Sequence, residues 1–352
     1  MTKQPIIGIQ PLGSRWPTMD PFLFCVYHDD AYPRGNADLG PDAPLDGRDL
    51  GQDFAGKDGW RMYHGTSVPG FPSHPHRGFE TVTIVREGLI DHSDSLGATA
   101  RFGGGDVQWL TAGRGIVHAE MFPLLDRERP NRLELFQIWL NLPSSHKMVE
   151  PRFTMFWSEQ IPHHAFHDHT GLVTHVSCIA GAFGDPAMGA PLASPPDSWA
   201  AQPGSDLAIW TIRMQANATW TLPAATGPGT RRGLYFFKGR GLTIGAQSVS
   251  ENAALELRCD ADLLLHNGSE PSEMLVLQGK PIAEPVAQYG PFVMNTQAEI
   301  QLAFADYRRT GFGGWPWSDS APVHGKQPRR FATHADGRSE QLQIQTQSAL
   351  EE

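Results

Sequence analysis

The chain has 352 residues, with 28 Lys and Arg against 38 Asp and Glu, a net charge of −10, 37 glycines and 29 prolines. Only 19% of its residues are charged, which argues against disorder, and the acidic balance argues against a general phosphate-binding surface, because nonspecific affinity for nucleic acid needs clustered Lys and Arg. The length suits two domains or one large one, and so many turn residues imply many short strands, so an all-β fold is expected.

The opening residues, MTKQPIIGIQPLG, are too short and too broken by Pro and Gly for a secretory apolar region. No apolar run approaches the roughly 20 residues that span a bilayer. The three cysteines, Cys25, Cys178 and Cys259, are odd in number and far apart, so neither a disulfide framework nor a zinc knuckle is expected. A soluble protein of the reducing cytoplasm, with no membrane and no direct nucleic-acid partner, is the expectation.

Residues 34–59 have little periodicity and read as a long loop or insertion. From Phe79 to Leu142 short alternating segments take over, separated by turns such as Gly103-Gly104-Gly105-Asp106 and Ala112-Gly113-Arg114-Gly115. Phe136, Ile138, Leu140 and Leu142 share one face of a strand. A Pro/Gly/Ser/Ala-rich tract at 184–206 reads as a linker. Alternation then resumes with Ala208, Trp210, Ile212 and Met214, followed by apolar runs at 234–237, 255–257, 263–265 and 274–277. Two strand-rich parts of similar size and turn density predict two copies of one β-barrel, over 1–183 and 207–317. Thr296-Gln297-Ala298-Glu299 is a capping box. It predicts a helix over 297–309 with Ile300, Phe304 and Tyr307 in one buried stripe and Gly311 at its end. That helix is expected to pack the second barrel onto the first, and the polar tail 318–352 is expected to be mobile.

The residues that carry chemistry are His74-Pro75-His76 and His118-Ala119-Glu120. On a strand, positions i and i+2 point the same way, so each pair offers two ligands to one face. Pro75 suits the edge or start of a strand, since it cannot donate to a ladder. Three imidazoles and one carboxylate suit a divalent transition metal: iron, manganese, nickel, copper and zinc are all compatible. A polar barrel mouth that only hydrogen-bonds is the structural alternative. The cluster His163, His164, His167 and His169 reads as a solvated loop, the doublets Arg231-Arg232 and Arg329-Arg330 as surface charge, and Trp109 and Trp139 as core. Asp94 and its neighbours Ser93 and Ser95 lack a nucleophile elbow. The second barrel's matching stretch, 222–241, contains no histidine, so that barrel is expected to be structural.

The segments HPHRGFETVTIVREG (74–88), HSDSLGA (92–98), GGDVQWLTAGRGIVHAE (104–120), LFQIWLNLP (135–143) and AQYGPFVMNTQAEIQLAFADYRRTGFG (287–313) resemble the pirin family. The resemblance implies a bicupin, two jelly-roll-like cupin barrels in tandem with a short C-terminal helix. It implies an iron in the N-terminal barrel held by His74, His76, His118 and Glu120, with Glu80 a supporting group rather than a ligand. It further implies a quercetin 2,3-dioxygenase-type enzyme acting on a small aromatic substrate with O2, Glu120 serving as base. The alternative is a metal- or redox-sensing regulator that binds a protein partner. The stretches 34–59 and 184–206 depart from a compact pirin and bear on access to the site.

Overall fold

The computed structural model describes residues 4–183 and 190–343, so part of the 184–206 tract and the last residues of the tail lie outside it. The chain divides into two compact units, one of residues 1–26, 138–143 and 159–284, the other of 27–137, 144–158 and 285–352. Each is built of antiparallel strands, and their bounds cut across the expected 1–183 and 207–317.

The first of these units holds a seven-stranded and a four-stranded sheet. The alternation read in the sequence is the burial pattern: Ala208, Trp210, Ile212 and Met214 are all buried, and with Leu234, Phe236, Leu255, Leu265 and Met274 they fill the interior with apolar side chains. Strand Ile6–Pro11 lies at one edge of the larger sheet, paired with Ala253–Leu257. Strand His163–His167 lies at the other edge, paired with Val173–Ala180. His163, His164 and His167 therefore lie on a strand rather than in a loop, and His169 lies in the turn that follows it. His163, Ala165 and His167 face outward while His164 and Phe166 are half-buried, an alternation hidden because Ala and His carry little contrast in apolarity.

The second unit carries the expected ligands. Its six-stranded sheet runs, in order, Ser339–Gln343, Arg329–Thr333, Thr99–Gly103, Leu89–Asp94, Ile116–Met121 and Gly70–His76. A five-stranded sheet includes Phe79–Glu87 and Val107–Thr111. Val85, Leu110, Leu135 and Phe153 of the five-stranded sheet share one core with Ile90, Phe102, Ile116 and Ala332 of the six-stranded sheet.

Three expectations are revised here. The tail is not a polar appendage, because 329–333 and 339–343 are strands of the ligand-bearing sheet. It is pinned by Arg101, which is fully buried, pairs with Asp91 at 2.6 and 2.7 Å, and donates to the carbonyls of Gly325 and Gln327 at 2.8 Å. The helix Gln297–Thr310 has its capping box and Gly311 cap, the latter at φ 55°. It belongs to the ligand-bearing unit, packing Ile300 and Ala303 against Phe292, Met294 and Val117. Finally, only one arginine of each doublet is at the surface. Strand alternation turns Arg232 inward onto Gln278 at 2.7 Å, and Arg330 inward onto Asp106 at 2.7 Å. Cys25 and Cys178 are buried free thiols, Cys259 a half-buried one, and Trp109 is fully buried. No helix among the described residues is long and apolar enough to cross a membrane.

Candidate metal centre

Gly70–His76 and Ile116–Met121 run antiparallel, with His74 opposite His118 and Phe71 opposite Glu120. The ladder carries one extra residue between Phe71 and His74. A bulge of this kind reverses the facing of the residues before it, so Phe71, His74 and His76 share a face with His118 and Glu120. Gly70 makes the approach possible. It sits at φ 130°, and a Cβ there would lie 2.4 Å from the Glu120 carbonyl oxygen, so only glycine fits.

One ring nitrogen from each of His74, His76 and His118 lies within 4.8 Å of the other two. The ring centroids are 4.4, 4.8 and 4.9 Å apart. The Nδ1–H of His74 is directed at the Pro72 carbonyl at 2.8 Å, which leaves Nε2 as its ligand atom. Burial pushes the His74 ring down to about 4, with a small further push from neighbouring His64, and holds His76 and His118 well below the ordinary imidazole value. All three rings are therefore neutral at pH 7, with lone pairs open for coordination.

Glu120 is buried, 3.9 Å from His118 Nε2. Gln137 Nε2 donates to its carboxylate at 3.2 Å and Thr83 Oγ1 at 3.3 Å. Burial raises its proton affinity, partly countered by His92 and by these two bonds. The structure thus joins the three histidines as one cluster and sets Glu120 beside it, tethered to its own partners. Glu80 is fully buried, accepts from Thr111 at 2.7 Å and is not a member of the cluster.

The donor set passes a test of fit. His118 is fully buried, and neither of its ring nitrogens has a hydrogen-bond partner among the described residues. A buried imidazole left so costs roughly 1–3 kcal/mol, and coordination to a cation through one nitrogen removes the part of that cost due to the unbonded lone pair. Among the described residues this is the one group of three or more His, Cys, Asp or Glu placed to hold a metal. Among the described residues none is found in the first, apolar unit.

Sequence reasoning passed over His92. It lies opposite Glu120, with Asp94 opposite His118, on the adjacent strand Leu89–Asp94. His92 is fully buried, its Nε2 is 3.2 Å from Asp94 Oδ2, and its ring centroid is 5.5 Å from that of His118. The signal was present in HSDSLGA as a third i, i+2 pair, His92 and Asp94, in a predicted strand.

Two family descriptions match the chain, Pirin over residues 11–140 and the pirin C-terminal cupin domain over 209–313. A Pseudomonas aeruginosa protein named "Putative quercetin 2,3-dioxygenase" is 37% identical over 69% of this chain and 79% of its own length. Pirin-1 of Arabidopsis thaliana is also 37% identical, over 69% of this chain and 78% of its own. Among solved structures, a quercetin 2,3-dioxygenase of Acinetobacter baumannii superposes with a TM-score of 0.65 at 27% identity, covering 88% of this chain and 96% of that one.

Proposed function

The chain belongs to the pirin family of bicupins, and on that premise we propose that it is a metal-dependent dioxygenase of the quercetin 2,3-dioxygenase type, cleaving a flavonol or a related enolisable aromatic with O2. The observation that carries this reading is the cluster of three neutral imidazoles, two of them buried and one of these with both ring nitrogens unbonded. The names of the relatives at 37% and 27% identity support the substrate class.

His74, His76 and His118 hold the metal, which we take to be iron(II), and Glu120 completes the set. A divalent metal in that position supplies a Lewis acid for the substrate hydroxyl and a template for O2. The remaining steps belong to the chain. Glu120 takes the proton of the substrate's enolic hydroxyl. Burial, which raises its proton affinity, brings it nearer to the hydroxyl it must deprotonate. Gln137 and Thr83 hold the carboxylate by one oxygen each, fixing its plane while it gives and takes the proton. The enolate that results is electron-rich and reacts with O2 where the parent phenol does not.

The test is aerobic turnover of quercetin by iron-loaded protein, followed as loss of its visible absorbance. Glu120→Gln should lower the rate by about 10²–10⁴-fold while Gln137→Leu gives a smaller loss. Iron-loaded wild type that leaves quercetin intact removes the reading.

A further inference from the structure

The insertion 34–59 and the residues that follow it to 65 are irregular but not loose. Arg48 lies 3.2 Å above the Trp60 ring and pairs with Asp53 at 2.9 Å. Asp53 and Tyr63 exchange backbone hydrogen bonds at 2.9 and 3.0 Å. Trp60, Met62 and Tyr63 are buried in the core of the ligand-bearing unit. From this anchored base a run of rings reaches toward the metal ligands. Phe71, opposite Glu120 in the ladder, meets His74 edge-on at 6.4 Å. His64 meets Phe71 edge-on at 5.7 Å. Phe54 meets His64 at 5.1 Å and Tyr63 at 5.6 Å, again edge-on.

Two features of this run point to a ligand. Phe54 is 48% exposed although it is aromatic and held against two rings, so a face of it remains free for stacking. His64 is half-buried, and its Nδ1–H is directed at the Gly51 carbonyl at 2.7 Å, which leaves Nε2 as a fixed acceptor. An apolar ring face beside a hydrogen-bond acceptor matches a planar aromatic that carries hydroxyl groups. A small anion would gain nothing from either.

We propose that Phe54, His64 and Phe71 form the substrate-selecting wall of the metal site, binding the planar hydroxylated ring of an aromatic chelator whose oxygens reach the metal. The reading rests on the metal site described above but not on the dioxygenase reaction.

The experiment titrates nickel(II)-loaded protein, which avoids oxygen chemistry, with 4-nitrocatechol and separately with azide, both read by absorbance. Phe54→Ala should weaken nitrocatechol binding about three- to tenfold, the loss of one stacked aromatic contact. His64→Ala should do the same, and in both variants metal content and azide affinity should be unchanged. Nitrocatechol affinities within twofold of wild type in both variants would overturn the wall, as would a wild type that binds no nitrocatechol. A parallel fall in metal content or azide affinity would overturn it too, by showing that these residues support the ligands and not the substrate. A wild type that binds nitrocatechol through the wall yet leaves quercetin intact keeps the wall and removes the dioxygenase.

Discussion

Replacing Gly70 by alanine tests whether the ligand geometry depends on how closely two strands approach. The added methyl would lie 2.4 Å from the Glu120 carbonyl oxygen and 2.8 Å from the Met121 Cα, both backbone atoms, at a φ of 130° that side chains rarely adopt. Contacts at carbon–oxygen van der Waals distance need about 1 Å more, so Gly70–His76 must slide from Ile116–Met121 by a comparable amount. A site of this kind tolerates displacements of about 0.5 Å. The backbone strain alone costs about 1–3 kcal/mol, which lowers Tm by roughly 2–12 °C in a unit of this size. Metal affinity should fall about 10–100-fold, the range seen when support behind metal ligands is lost. Chelator-competition titration and thermal unfolding of wild type and Gly70→Ala measure both quantities. A variant with wild-type affinity and Tm would show that the close approach does not govern the site.

Three further outcomes follow from the same structure. His76→Ala and His118→Ala should each lose most of the metal by elemental analysis, and full retention in both would defeat the ligand assignment. Removal of residues 285–352 deletes the helix and two strands of the ligand-bearing sheet, so the product should be insoluble or bind a dye for exposed apolar surface. A soluble, metal-replete fragment would contradict this. Half-buried His28, whose ring lies 2.7 Å from the Tyr63 hydroxyl, is pushed down to about 4 by burial, with the Arg61 charge adding to it. The unfolded chain binds that proton near pH 6.5 and the native one only near 4, so its contribution to stability is full above 6.5 and is lost as pH falls toward 4. Discounted for solvent screening, this is about 1 kcal/mol between pH 7 and 5. Urea melts of wild type and His28→Gln at those two pH values should differ by that amount, and equal losses would exclude His28 as the source.

The candidate pairs were legible because strand geometry sets positions two residues apart on one face. His74 with His76, and His118 with Glu120, needed only the assumption of a strand. The bulge that brings Phe71 to their side, and the role of Gly70, were not legible, because both depend on a partner strand some 50 residues away. The helix was readable from its cap and stripe, but not the unit it joins, since its stripe meets Phe292 and Val117 only in three dimensions. Strand Ile6–Pro11 likewise carries nothing in its own residues to announce Ala253–Leu257 as its partner. Arg232 and Arg330 misled because charge outweighs position in any reading by composition, whereas the buried acceptors Gln278 and Asp106 are supplied by a strand and a turn distant in sequence.

The pairing of the chain's end with its first ligand-bearing sheet also sets a timetable. During synthesis His74, His76, His118 and Glu120 leave the ribosome well before strand Arg329–Thr333, which pairs with Thr99–Gly103 in the same sheet. At roughly 5–20 residues per second, about ten to forty seconds separate the arrival of the ligands from the arrival of that strand. Throughout that interval the edge of Thr99–Gly103 is open, and three imidazoles meet the metals of the cell before the sheet that orients them is closed. A metal captured at that stage would be set by abundance and exchange rate. The metal retained would be set by the finished sheet, so under the proposed metal reading loading becomes a two-stage selection whose second stage waits for strand Arg329–Thr333.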